Sequence, residues 1–203
     1  MTDALPVLRY DEVRGSLRDG TVLLFRGRGI FSRLIQAKGR APWSHAALLA
    51  WWGRRLMVVE AREGAGVRAI PLSTVLLEGH HVEAYDVVGA DADARRLAVS
   101  EAVSWLSSRY GWRTIVRIGA AALLVPLAWI PPIGAVRRAW SRPLRDASGR
   151  PTSGLICSEL VARAWLYAGV SLVQDIPDFE DATVEPADLF RGGRLDPIGR
   201  LAA

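Results

Sequence analysis

Residues 43–61 constrain this chain more than any other stretch. Trp43-Ser44-His45-Ala46-Ala47-Leu48-Leu49-Ala50-Trp51 and Arg54-Arg55-Leu56-Met57-Val58-Val59-Glu60-Ala61 are two apolar, β-prone runs separated by Trp52-Gly53. Such a pair around a tight-turn dipeptide reads as an antiparallel hairpin. A turn centred between Trp52 and Gly53 sets Trp51 opposite Arg54 and His45 opposite Glu60. Directly opposite residues project from one face with Cβ atoms about 4.5–5.5 Å apart. A two- or four-residue loop therefore puts an imidazole beside a carboxylate. A three-residue loop sends them to opposite faces.

Around this hairpin the chain reads as a mixture of short strands and helices. Tyr10 to Leu17 is a short helix stopping near Asp19-Gly20, and Thr21 to Phe25 is a buried strand. Arg26-Gly27-Arg28-Gly29 is a turn; no Lys-Ser/Thr follows, so it is no phosphate loop. Ile30 to Ala37 has helical spacing. Val67 to Ile70 and His81 to Val87 are further strands, with a helical turn from Pro71 to Leu77 between them. Asp91 to Arg109 is the clearest helix, acidic at its start and apolar at helical spacing inside. After Gly169 the chain reads as mostly irregular, apart from a turn around Val184 to Phe190.

Cys157 is the only cysteine among 203 residues. An intramolecular disulfide and a cysteine-rich metal site are thereby excluded, and a reducing compartment fits. The residue opens a helical pattern: Cys157, Val161, Ala164 and Ala168 share one face, and Gly169 ends it. A thiol in a first helical turn feels the positive end of the helix dipole and unpaired N–H groups, which favour thiolate. Taken alone, such a residue is more often a small buried hydrophobe than a nucleophile. His45 and Glu60 supply what a nucleophile needs, a base and a group to orient that base. His80 and His81 read as strand-edge or surface residues. Nothing in the spacing brings them to His45 as metal ligands, and no metal or other cofactor is expected.

The net charge of +5 comes from 26 Lys+Arg against 21 Asp+Glu. The cations are spread without an aromatic-interleaved strip, so nucleic acid is not an expected partner. An anionic membrane or cell-wall polymer suits a modestly basic surface. Residues 118–136 are uncharged and long enough for a membrane span, but Pro126, Pro131 and Pro132 interrupt them. Two short apolar helices, packed on the domain or dipping into a membrane surface, are the expectation. The first residues carry no basic, apolar leader pattern. A cytoplasmic protein, at most peripheral at a membrane, is expected.

The order His, acidic residue, Cys resembles the circularly permuted branch of the NlpC-like papain superfamily, the YiiX/YaeF-type proteins and, more distantly, lecithin:retinol acyltransferase. Asp19-Gly20-Thr21-Val22-Leu23-Leu24-Phe25-Arg26-Gly27 is similar to the family's opening strand. Trp43-Ser44-His45-Ala46-Ala47-Leu48 is similar to its His strand, and Val58-Val59-Glu60-Ala61 with Gly66-Val67-Arg68 to its acidic strand and turn. Arg109-Tyr110-Gly111-Trp112 resembles its Tyr motif, Ile156-Cys157-Ser158-Glu159-Leu160-Val161 its Cys helix, and Glu185-Pro186-Ala187-Asp188-Leu189 its late turn. The family's opening Gly-Asp is Asp19-Gly20-Thr21 here. The apolar stretch between the Tyr and Cys motifs is a further departure.

The resemblance implies an α+β, permuted papain-like fold. A small antiparallel sheet or barrel would pack on the helix bearing the nucleophile, in a single domain over 1–203 with an apolar insertion at about 113–140. It implies a thiol hydrolase or acyltransferase working through an acyl-cysteine on an amide or ester of peptide, peptidoglycan-type or lipid origin. Cys157 would be the nucleophile, His45 the base and Glu60 its orienter. Tyr110, Ser44 and Ser158 are the oxyanion or substrate candidates, beside the backbone N–H of Cys157. The competing reading is a non-catalytic membrane- or cell-wall-associated module that retains the fold.

Overall fold

The computed structural model describes residues 5–108, 156–173 and 184–203. The predicted segment 118–136, Tyr110 and the loop leading into Cys157 lie outside them.

Seven strands form one sheet: β1 (Val7–Arg9), β2 (Val22–Arg26), β3 (His45–Trp52), β4 (Arg55–Arg62), β5 (Gly66–Pro71), β6 (His81–Val87) and β7 (Leu195–Ala202). Their order is β1-β7-β6-β2-β3-β4-β5. Every pairing is antiparallel except β1 with β7. The sheet is thus larger than expected, by two strands at one edge. Among the described residues six helices accompany it: α1 (Tyr10–Val13), α2 (Ile30–Gly39), α3 (Leu72–Leu77), α4 (Ala92–Ser104), α5 (Cys157–Tyr167) and α6 (Pro186–Arg191). The predicted first helix is shorter, continuing from α1 only as a 3₁₀ turn, Arg14–Ser16.

The strands of the central hairpin are apolar on both faces because both faces are covered. Val22, Leu24, Ala46, Leu48, Val59 and Ala61 turn towards α4 and α5, in a core closed by Leu160, Val161, Ala164 and Trp165. Leu23, Phe25, Ala47, Leu49 and Val58 turn the other way, onto Leu72, Val75 and Leu76 at α3. The amphipathic face of α5 foreseen from Cys157, Val161 and Ala164 is its sheet side, and Trp165 is its largest fully buried member. The Trp165 indole N–H donates to the Gly20 carbonyl at 3.2 Å. Gly20 has a φ of +78°, and a Cβ there would lie 2.5 Å from the Trp165 ring. The close approach of β2 to α5 therefore requires glycine twice over, by conformation and by space.

The hairpin turn lies one residue later than expected. Trp52 pairs with Arg55 and Leu48 with Val59, leaving Gly53-Arg54 as a two-residue loop with Gly53 at φ +57°. Continuing that register sets Ala47, not His45, opposite Glu60. The offset is two positions on the partner strand, so His45 and Glu60 stay on one face as diagonal neighbours.

Strand β7 escaped the sequence reading because Pro197 and Gly199 interrupt its short apolar pattern. It pairs with β6 through a register shift in which Ala84 faces Gly199 and Tyr85 faces Pro197. A bulge is where a strand tolerates a proline, which has no N–H for the ladder.

Candidate active site

His45 is the first residue of β3, and several contacts hold it there. Two residues earlier, the Trp43 indole N–H donates to the Glu83 carboxylate at 2.8 Å. The same buried carboxylate receives the Tyr85 hydroxyl at 2.7 Å, faces His81 Nε2 at 3.0 Å and pairs with Arg26 at 2.6 Å. Four partners saturate Glu83, which acts as an anchor for the entry into β3 rather than as a free base. Phe25, opposite His45 on β2, meets the imidazole edge-on with centroids 5.1 Å apart.

Glu60 closes the arrangement from β4. Its Oε2 lies 2.7 Å from His45 Nε2. Its Oε1 accepts from Arg68 Nε at 2.9 Å and Nη2 at 2.7 Å. Arg68 is directly opposite Glu60 on β5. The carboxylate is 1 % exposed, so its charge survives only because both oxygens have partners. Burial pushes Glu60 up, but the His45 hydrogen bond and charge, then those of Arg68, bring it down from 4.5 to about 2.

Cys157 is the first residue of α5 and is buried. The α5 start is capped by its own Glu159, which accepts from the Ile156 N–H at 3.3 Å. The thiol faces His45 and the backbone N–H groups of Ala46 and Ser158, close enough for all three to act on its charge. Burial would raise the thiol, yet the charge and hydrogen bond of His45, helped by those two amides, hold it below its ordinary value. Burial likewise disfavours imidazolium. The field and hydrogen bond of Cys157, followed by those of Glu60, overcome it and lift His45 from 6.5 to about 10. The two shifts describe a thiolate–imidazolium pair. An imidazole has two nitrogens and Glu60 holds Nε2, so Nδ1 is the one left to face the sulfur.

Of the predicted site residues, Cys157, His45 and Glu60 come together. Tyr110 lies outside the described residues. Ser44 and Ser158 flank the centre, but their hydroxyls serve the backbone. Ser44 Oγ accepts from the Gly27 N–H at 3.0 Å, and Ser158 Oγ donates to the Val184 carbonyl at 2.6 Å. It is the Ser158 amide that reaches the sulfur. Sequence reading missed Arg68 as a site residue. The signal was present: a three-residue loop, Glu63-Gly64-Ala65, between Arg62 and Gly66 sets Arg68 opposite Glu60. His80 and His81 pair with Glu78 and Glu83 at 3.0 Å each and stay apart from the sulfur.

No family model and no curated protein sequence matches the chain. Its fold is similar to that of a crystal structure, the metalloprotein YiiX from Escherichia coli O157:H7. The TM-score is 0.61 at 15 % identity, over 92 % of this chain and 98 % of that one. The chain therefore has a YiiX-like, mixed α+β fold.

Proposed function

We propose that this chain is a thiol hydrolase or acyltransferase of the permuted papain-like, NlpC-type fold, acting on an amide or ester. The contact of Cys157, His45 and Glu60 at the start of a helix is the observation that carries the reading. The Cys157 thiolate attacks the substrate carbonyl carbon, and the π electrons move to oxygen. The first-turn amides of α5, which have no acceptor within the helix, are the donors near the developing oxyanion. The tetrahedral adduct collapses and expels the amine or alkoxide, which takes the proton held on His45. Water, or an acceptor hydroxyl or amine, then gives its proton to His45 and attacks the thioester. Collapse returns the thiolate and releases acid or transferred acyl product. Glu60 keeps the imidazole turned towards the sulfur and stabilises its positive charge, without itself taking a proton.

YiiX is described as a metalloprotein, but the residues present here do not fit a metal ion at this centre. Glu60 commits one oxygen to His45 and the other to the Arg68 guanidinium, a cation that would repel a second one. Among the described residues no group of three His, Cys, Asp or Glu side chains converges to hold an ion.

The test is activity profiling with an acyl-reactive probe across peptide and lipid substrates, comparing wild type with Cys157→Ala. The reading requires labelling at Cys157 and turnover that falls by on the order of 10³ or more in the variant. Equal behaviour of the two proteins would leave the non-catalytic binding module as the correct reading.

A further inference from the structure

Helix α2 has its amphipathic character turned outwards. Ser32, Gln36 and Gly39 lie on its protein side: Gln36 Nε2 donates to the Gly27 carbonyl at 3.0 Å, and Gly39 packs against Glu185 and Ala187 ahead of and within α6. The solvent side carries Ile30 (79 % exposed), Leu34 (61 %) and Ala37. These three fall on one stripe at i, i+4, i+7 spacing, with Arg33 on one flank and Lys38 on the other. A surface helix of a globular protein normally shows the reverse.

Charge around the stripe has one sign. Residues 20–59 contain seven Lys+Arg and no Asp or Glu. Arg26 is paired with Glu83, and Lys38 with Glu185. Arg28, Arg33 and Arg40 are exposed, and no carboxylate among the described residues pairs with their side chains. An exposed apolar stripe flanked by unneutralised cations matches a lipid interface. There the aliphatic side chains enter the acyl boundary and the arginines meet anionic headgroups.

The helix also borders the Cys157 centre. The chain leaves β2 after Arg26, runs through α2 and returns to β3 at His45. The entry loop of α2 is tied to the residue before His45 by the Gly27–Ser44 hydrogen bond and by the Ser44 N–H to Phe25 carbonyl bond at 2.9 Å. We infer that α2 is a docking surface for an anionic phospholipid bilayer, bringing the end of the sheet that bears His45 to the membrane–water interface. Docking does not depend on the proposed hydrolase chemistry.

The experiment is co-sedimentation of the full chain with phosphatidylcholine vesicles, with and without phosphatidylglycerol, at low and high salt. Binding to the anionic vesicles is expected, weakened by salt. Ile30→Ser/Leu34→Ser should reduce the partition coefficient roughly tenfold or more. Arg28→Ser/Arg33→Ser should reduce it roughly fivefold per cation. Leu77→Ser, which removes an equally exposed leucine on α3, and Cys157→Ala should leave binding unchanged. Circular dichroism of each variant verifies the fold, and the arginine pair alone decides the matter if the apolar pair unfolds. Failure of the wild type to bind anionic vesicles overturns the inference. So does binding unaffected by the α2 substitutions, or equally reduced by Leu77→Ser. A dimer that Ile30→Ser/Leu34→Ser dissociates, without vesicle binding, would make α2 a self-association surface instead. A Cys157→Ala protein that docks normally while losing acyl turnover separates the two proposals.

Discussion

Glu60 is the most tightly specified side chain of the centre, and Arg68 is what makes its burial tolerable. The guanidinium donates through two nitrogens to Oε1, leaving Oε2 to His45. A lysine could restore the charge but not the fork. Arg68→Met is therefore expected to slow iodoacetamide labelling of Cys157 at pH 6 on the order of tenfold, with Arg68→Lys recovering part of it. An unchanged rate would show that Arg68 only balances charge. The sulfur itself sets a second expectation. With Cys157 held low by His45, labelling should stay fast well below the range of a free thiol. Its alkaline side should change near pH 10, where the imidazolium loses its proton. His45→Ala should move the rise towards the ordinary thiol range, slowing labelling at pH 6 by roughly a hundredfold. A pH profile shared by wild type and His45→Ala would refute the ion pair.

At the level of elements, the centre depends on two junctions. One is the hairpin loop Gly53-Arg54, whose length fixes which face of β4 carries Glu60. Adding one residue there, if β4 kept its own packing, would displace β3 by one position and turn His45 away from Glu60. The same offset would drive Leu48 and Leu49 onto the wrong faces, so loss of stable folding is the expected outcome in thermal denaturation. The other junction is Gly20 against Trp165. Gly20→Ala adds a methyl within 2.5 Å of the ring in a left-handed conformation. A loss of about 2–4 kcal/mol in denaturant unfolding is expected, combining overpacking with backbone strain. Because Trp165 lies two turns along α5 from Cys157, this contact also sets how the helix start meets β3.

For the whole molecule, the charge network makes stability depend on acid. Glu60 is lowered from 4.5 to about 2 on folding. A lowered carboxyl contributes stability in full above its unfolded value and loses it as pH falls through the folded one. Between pH 4.5 and 2 the denaturation midpoint should therefore fall, and Glu60→Gln should flatten that part of the curve. A parallel fall in wild type and variant would assign the acid sensitivity to other carboxylates. Among the described residues no helix is long and apolar enough to cross a membrane. The grouping of Cys157 with His45 and Glu60 was implied by the family resemblance, whereas the linear sequence by itself was sufficient for the mixed α+β character, the apolar hairpin and the helix opened by Cys157. Those features follow from periodicity, turn chemistry and residue type, which act over a few neighbours. It also placed His45 and Glu60 on one face despite an error of one residue in the turn, because side-chain direction in a strand repeats every two residues. Only the tertiary structure brought α5 to the start of β3 and showed that Arg68 completes Glu60. It alone added the β7 edge through a bulge at Pro197 and turned the apolar stripe of α2 to solvent. Apart from the Arg68–Glu60 pair, which a three-residue loop sets locally, each of these depends on which surfaces pack across more than a dozen residues of chain, and local sequence energetics do not encode that pairing.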